Sequence, residues 1–357
     1  MSACATRYAF YLDKQLKVNI LDQSPIAEGM SAGDALRNSI DLAKLADELG
    51  YYRYWVAEHH ATLALACGSP EVLIGPIAAA TRNIRVGSGG IMLPHYSPVK
   101  VAENFSMLSA MFPGRIDLGM GRAAGSSPNI ALALQRDRRQ PPPDDFVEQM
   151  QELLALLENR WPENGQFPSL AASRMQFDTP EPWLLGSSQD SYIWAAELGL
   201  PYCFADFINP HRQAITRHYR LRFQPCERLE KPRVGVAVWA LCADTDAEAS
   251  RLALPFKMMM LMLFGGQSIR VPDPEKAYAY LAESGPVDVQ PVGRRVVVGT
   301  AERVKASLQA IAESYEADEL FVVNVMHEHQ ARRRSYELLA QAFDLKPGPA
   351  AVHRNKV

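Results

Sequence analysis

The sequence predicts an α/β fold in which eight parallel strands close into a (β/α)8 TIM barrel with insertions over the carboxyl-end face. Three observations lead there. Short runs rich in Val, Ile and aromatic residues alternate with longer stretches of helical period, the pattern of βα units around a parallel sheet. Eight such runs fit into 357 residues with no linker and no internal repeat, so residues 1–357 read as one domain. A doubly wound dinucleotide fold would show GxGxxG, and neither GMGRAAG (119–125) nor VGSGG (86–90) has that spacing.

In chain order, KVNIL (17–21) is the first strand. A helix follows over 34–49, with Leu36, Ile40, Ala43, Leu45 and Leu49 near helical spacing and Gly50 as its stop. YRYWVA (52–57) is the second strand, and a helix opened by Pro70 runs over 70–81. IRVGSGGIML (84–93) is the third strand, followed by a helix over 98–111 that ends before Pro113-Gly114. RIDLGMG (115–121) is the fourth, and a helix over 143–158 starts behind the triproline 141–143. PWLLG (182–186), LPYCFAD (200–206) and RVGVAVWALCAD (233–244) are strands five to seven, with helices at about 189–198 and 210–222 between them. LALPFKMMMLMLFGG (252–266) is the most apolar segment, but Pro255 and Lys257 interrupt it, which makes it a buried or lid helix. ELFVVNV (319–325) is the eighth strand and 330–343 the last helix. Two stretches, 159–181 and 265–297, fit neither period and are expected as insertions over the active-site face.

Composition excludes several classes of partner. With 48% hydrophobic and 22% charged residues and a net charge of −3, the chain has no basic field for nucleic acid or a membrane surface. Its five cysteines lack CxxC spacing, so reduced thiols in a cytoplasmic protein are expected rather than disulfides or a zinc site. The first residues lack the apolar core of a secretion signal.

Barrel chemistry is carried at the carboxyl ends of strands. Here those ends hold Asp22-Gln23-Ser24, Glu58-His59-His60, Gly87–Gly90, Gly119-Met120-Gly121-Arg122 and Gly186-Ser187-Ser188. Adjacent residues of an extended chain point to opposite sides, so one of His59 and His60 faces the pocket while the other braces it. Imidazole also suits proton handling near neutral pH. No metal is expected: there is no HExxH pairing, and only His327-Glu328-His329 offers further ligands. Gly89-Gly90 fits either a β-bulge or the close approach of a flat ligand. Arg122 fits a bidentate grip on phosphate or a surface ion pair. Ser187, Ser188 and Ser191 lead into a helix whose amino end favours an anion, although simple N-capping accounts for one of them.

Four stretches together carry a family likeness: LDQSPIAEGMSAGDALRNSIDLAKLADELGYYRYWVAEHH, SPEVLIGPIAAATRNIRVGSGGIMLPHYSPVKVAENFSMLSAMFPGRIDLGMGR, PWLLGSSQDSYIWAAELGLPYCFA, and the tail from VVVGTAERVKASL to ELLAQAF. Over about 17–345 the chain resembles the bacterial luciferase-like flavin-dependent monooxygenases, most closely their single-chain branch. The resemblance implies a monooxygenase that takes reduced FMN from a separate flavin reductase and, with O2, oxidises a small organic substrate through a flavin hydroperoxide. It implies that His59 serves that chemistry with His60 as its structural neighbour. It also implies that Gly89-Gly90 forms a cis peptide under the flavin ring, that Arg122 grips the phosphate, and that Ser188 and Ser191 contact it. Gly121 stands where luciferase has a reactive cysteine. The apolar pocket such chemistry needs is expected from Trp55, Met92, Met120, Trp239 and the Met-rich 258–263, with 265–297 as lid. A homodimer through helices two and three is expected, where 70–80 is strongly apolar. Two other readings stay open: a flavin- or deazaflavin-dependent dehydrogenase on the same barrel, and a non-catalytic flavin-binding relative.

Overall fold

The strand runs pair in parallel and close on themselves. A computed structural model describes residues 16–122, 128–135, 138–140, 144–160, 178–283, 285–291 and 293–348. Eight strands follow one another around the barrel: β1 (Lys17–Asp22), β2 (Arg53–Val56), β3 (Arg85–Met92), β4 (Ile116–Gly121), β5 (Glu181–Gly186), β6 (Tyr202–Ala205), β7 (Val234–Cys242) and, returning to β1, β9 (Glu319–Val323). The β6–β7 pairing shuts the ring. The short strand β8 (Val296–Gly299) was not expected; it pairs with Trp239–Cys242, beyond the part of β7 that β6 reaches.

Around the barrel lie α1 (Ala32–Leu49), α2 (Pro70–Ala80), α3 (Pro98–Met111), α4 (Pro128–Leu134), α5 (Phe146–Leu157), α6 (Gln189–Glu197), α7 (Ala214–Arg222), α8 (Asp246–Phe264), α9 (Pro274–Ala282), α10 (Ala301–Ser314) and α11 (His329–Ala342). Local chemistry sets the ends. Ser31 and Asp34 form a capping box at the start of α1, and Gly50 ends it at φ 89°, a conformation that favours glycine. The stretch 265–297 is less irregular than expected, since α9 starts at Asp273-Pro274 with Asp273 capping it. α8 runs through Pro255, and its Leu254 and Met258 pack on Ala277 and Leu281 of α9. Among the described residues no helix is long and apolar enough to cross a membrane. Most of the other expected insertion, residues 161–177 of 159–181, lies outside the described residues.

Alternation divides each strand between wall and lumen. Val18, Ile20, Tyr54, Val86, Leu118, Val236 and Val322 pack outward on the helices. Leu21, Trp55, Trp183, Cys203, Ala237 and Phe321 fill the lumen, where Trp55 stacks on Phe321 at 4.2 Å and meets Trp183 edge-on at 5.3 Å. Below them, at the amino ends of the strands, the floor is charged. Buried Arg53 lies 2.7 Å from Asp117, 2.8 Å from Glu319 and 3.1 Å from Glu181. Arg85 also reaches Asp117 and Glu181, and the Trp55 and Trp183 indoles donate to Asp117 and Glu181 at 2.8 and 3.0 Å. Burial pushes the Asp117 carboxyl up, but Arg53 and Arg85 overcome it and hold the group below the usual carboxylate range.

Removing one member of such a cluster strands the others without water. Arg53→Ala should therefore cost about 3–5 kcal/mol in denaturant unfolding at neutral pH. Without Arg53 the Asp117 carboxyl keeps Arg85 and the Trp55 indole but is held less far below its ordinary value, so its ionised form contributes less stability above that value. The deficit should thus shrink toward acid pH, and a variant as stable as the parent at neutral pH would contradict this role for the floor.

Candidate functional site

Strand β2 hands the chain to Glu58-His59-His60, and the buried carboxylate of Glu58 organises the residues around it. One of its oxygens accepts the Met92 amide at the end of β3 at 2.9 Å, and the other hydrogen-bonds His60 Nε2 at 2.6 Å. The Tyr96 hydroxyl also donates to Glu58; burial and that carboxylate raise the Tyr96 pKa. His60 is thereby turned into the wall, its ring 6.0 Å from that of His95 and edge-on to it. His59 makes no bond to the carboxylate. Its backbone N–H donates to Cys67 at 2.9 Å, while ring Nδ1 is buried with no partner. Burial, with His60 nearby, pushes its pKa down to about 4, so the ring is neutral at neutral pH. The two rings therefore differ: His60 is held by Glu58, and His59 keeps a free nitrogen. Glu58 and Tyr96 had no role assigned from the sequence. The acid beside two imidazoles was visible there, but its reach to Met92 and Tyr96 was not.

At the end of β3 the Gly89-Gly90 peptide is cis, and the register against β4 shifts between Ser88 and Ile91. Side chains have no space along this seam. A Cβ on Gly90 would lie 2.8 Å from the Gly119 carbonyl oxygen; one on Gly119 would overlap the Ser88 carbonyl, and one on Gly89 would overlap Leu21. At Gly121 a Cβ would meet only the Leu185 carbonyl at 3.8 Å, so the rim there is open. The register shift is the bulge that the glycines suggested. Two pocket expectations need correction. Met120 faces the outer core because the lumen positions of β4 fall on Asp117, Gly119 and Gly121, and Trp55 is lumen packing beside Gly89.

Arg122 comes next, at the rim. Its guanidinium lies 4.8 Å from the Trp194 ring and 3.2 Å from Asp190, both on α6, so the ion-pair reading of this residue is also realised. α6 starts at Gln189 with Ser188 as N-cap, yet no serine side chain caps it. Its first-turn amides therefore lack a side-chain acceptor. Ser188 is exposed and Ser187 half-buried, while Ser191 is buried and committed. The Ser191 hydroxyl donates to the Ser188 carbonyl at 2.8 Å and lies 3.0 Å from the Tyr202 hydroxyl, in space that only a glycine at 186 leaves open. The structure thus gathers Arg122, Ser187 and Ser188 at one helix end, with Ser191 fastening the loop beneath them. His329 is bound to Asp41 at 2.8 Å, between α11 and α1, and so does not join His59 and His60.

Three segments cover the other side of the mouth. Ile26 donates to Ala64 at 2.7 Å, Val271 to Ile26 and Glu28 to Val271, both at 2.9 Å, and Thr62 and Ser268 share a hydroxyl bond at 2.9 Å. Part of the 265–297 stretch is thus stitched to the loops after β1 and β2. Beyond it, Trp239, Phe256, Val296, Val323, Asn324 and Val325, with others, line a narrow gap between β7, β8, β9 and α8.

Comparison with known proteins places the chain in a family. Residues 16–317 match the family model for luciferase-like monooxygenases. The chain is 43% identical over 333 residues to the uncharacterised protein YwcH of Bacillus subtilis, covering 92% of this chain and 99% of that one. It is 36% identical over 331 residues to the N-acetyl-S-alkylcysteine monooxygenase of the same organism, covering 92% and 98%. The crystal structure of apo-MsnO8 superposes with a TM-score of 0.84 at 39% identity, covering 94% of this chain and 99% of that one. The chain belongs to the luciferase-like monooxygenase family, and it is an oxidoreductase by that membership.

A histidine that loses its charge on burial favours the fold above its ordinary pKa and opposes it below. An NMR titration should find the His59 ring neutral at pH 6, with a midpoint near 4. His60→Gln should raise that midpoint by removing the neighbouring imidazole. A His59 midpoint of about 6.5, the unperturbed value, would contradict a buried, partnerless ring.

Proposed function

We propose that this chain is the oxygenase of a two-component system, oxidising a small organic substrate with O2 and reduced FMN supplied by a separate flavin reductase, through the flavin hydroperoxide. One observation carries the reading. The tight glycine seam at Gly89, Gly90 and Gly119, open to the rim at Gly121, runs directly into Arg122 and the uncapped amino end of α6.

The residues present fit that cofactor. A phosphate tail asks for a cation and free N–H groups, which Arg122 and the first turn of α6 offer, with Ser187 and Ser188 beside them. The Arg122–Asp190 pair is exposed and therefore cheap to exchange for a stronger anion. A planar ring asks for a surface without side chains, which the seam provides. Bound reduced FMN supplies two electrons and the site of reaction with O2. The chain's own part is to hold, shield and manage protons. Neutral His59 keeps one N–H and one acceptor nitrogen and brings no charge into an apolar mouth, while the Glu58–His60 bond keeps the second imidazole turned away. Trp239, Phe256, Val323 and Val325 offer the apolar surface that excludes water. The relative named for N-acetyl-S-alkylcysteine oxidation supports an organosulfur compound as one candidate substrate class.

Two further parts of the reading concern surroundings. Val72 on α2 and Met107 and Met111 on α3 are 70%, 55% and 59% exposed, a pattern that supports a homodimer through these helices. Light scattering that gives the mass of one chain at micromolar concentration would remove that part. The free thiols of Cys67, Cys203, Cys226 and Cys242 suit a reducing cytoplasm.

Mixing the protein with photoreduced FMN in air should give a transient oxygenated-flavin absorption that lasts seconds, and His59→Ala should shorten its life or lower substrate turnover at least ~10²-fold. Immediate release of hydrogen peroxide with no transient would favour a dehydrogenase or a non-catalytic relative. Unchanged behaviour of His59→Ala would remove that residue from the chemistry.

A further inference from the structure

We infer that the Gln23 side-chain amide is the partner of the flavin's pyrimidine edge, accepting from ring N3–H and donating to an adjoining ring carbonyl. The inference rests on the oxygenase reading for the presence of a flavin, and deepens it by naming a residue that orients the ring.

Gln23 directly follows β1, and its neighbours fix its direction. Asp22 is spent in the wall: it accepts the Ser24 amide at 2.8 Å and the Tyr54 hydroxyl at 2.5 Å, and it pairs with Arg332. Ser24 turns the chain at φ 48°, and its hydroxyl lies 2.8 Å from that of Ser39 on α1. With Leu21 in the lumen and Asp22 in the wall, alternation returns Gln23 to the lumen side. Its height is fixed too. A Cβ on Gly89 would overlap Leu21 and lie 3.0 Å from the Trp55 Cβ, so Gln23 stands one lumen layer above that contact. The Ala57 amide donates to the Asp22 carbonyl at 2.9 Å, which sets Ala57 beside Gln23 in the same layer.

Gln23 is only 4% exposed, yet its amide has no hydrogen-bond partner among the described residues. A buried primary amide without partners opposes folding, and a polar group on a bound ligand would relieve that cost. Ala57, Leu185, Trp239 and Val325, the lumen residues nearest that height on other strands, are apolar. His59, two residues beyond Ala57, offers single ring nitrogens, whereas an amide sets a donor beside an acceptor. The isoalloxazine presents the complementary set on its pyrimidine edge, where N3–H lies between two carbonyls. A primary amide matches that arrangement with two parallel hydrogen bonds. Position in the ring agrees, since β1 is the fourth strand from β5 in either direction round the barrel. A molecule whose phosphate lies at Arg122 and the start of α6 reaches Gln23 only across the mouth, with the ring at its other end.

The test uses the full chain, free of flavin, titrated with FMN and with 3-methyl-FMN, in which a methyl replaces the N3 hydrogen. Flavin fluorescence reports binding. The parent should bind FMN about tenfold more tightly than the methylated flavin. Gln23→Met, close to glutamine in volume but without its amide, should bind FMN about tenfold more weakly and 3-methyl-FMN as before. Gln23→Ala should lose the preference in the same way. Without flavin, Gln23→Met should melt at or above the parent temperature, because it removes an amide that the fold leaves unpaired. Equal parent affinity for the two flavins, a preference kept in both variants, or a lower melting temperature of flavin-free Gln23→Met would each overturn the assignment. A parent that takes up neither flavin would sink the oxygenase reading and this inference with it. Uptake of FMN with no role for Gln23 would sink the inference alone.

Discussion

Arg53 is the point from which the rest of the barrel is measured. It binds carboxylates from β4, β5 and β9 at the amino end of the lumen, where a buried cation is tolerated only if every partner is in place. A slip of one residue in any of those strands would exchange lumen for wall and break the cluster. Register is therefore set at the floor, and each later layer follows by twos. Asp117 below places Gly119 and then Gly121; Glu181 places Trp183 and Leu185; Glu319 places Phe321 and Val323; Arg53 itself places Trp55 and Ala57. Polar cost is confined to the closed end and apolar or empty positions to the open one.

That arrangement explains why the rim can be specialised strand by strand. On β3 and β4 the lumen positions shrink to glycine, which lets two backbones approach. On β2 the chain continues past the strand into Glu58, whose carboxylate is spent on Met92, His60 and Tyr96. The consequence is one imidazole locked in the wall and one left without a partner. On β5 the loop folds over Ser191 and presents a bare helix end to Arg122. On β7 and β9 aromatic and branched residues pack around a narrow gap. Each device depends on backbone positions that the floor has already fixed.

The barrel was legible in the sequence because its signal is periodic and repeated, so the eight strands of the ring lie within a few residues of their expected bounds. β8, α9 and α10 escaped because each is short or lies between segments with stronger patterns; Val296-Val297-Val298 is only a three-residue apolar run between Arg295 and Gly299. Arg122, Ser187 and Ser188 lie at one rim as expected, since strand ends alone decide that. What could not be read was the direction of side chains. Met120 sits among glycines in a stretch whose register depends on Asp117 finding Arg53, a contact between distant parts of the sequence. Ser191 read as a free hydroxyl because nothing local announces Tyr202 and the gap at Gly186. The residues alone do not say which of His59 and His60 is held in place, because that depends on where Glu58 points.

One physical claim is central: a single rim holds a flavin phosphate at Arg122 and the start of α6 while its ring lies against the glycine seam. A crystal structure of the protein soaked anaerobically with reduced FMN tests this most directly. It should show phosphate oxygens within hydrogen-bond distance of the Arg122 guanidinium and the first α6 amides, with the ring plane stacked on Gly89-Gly90 and the His59 ring nearby. Flavin found on another face, or a phosphate remote from Arg122 in a site otherwise fully formed, would contradict it.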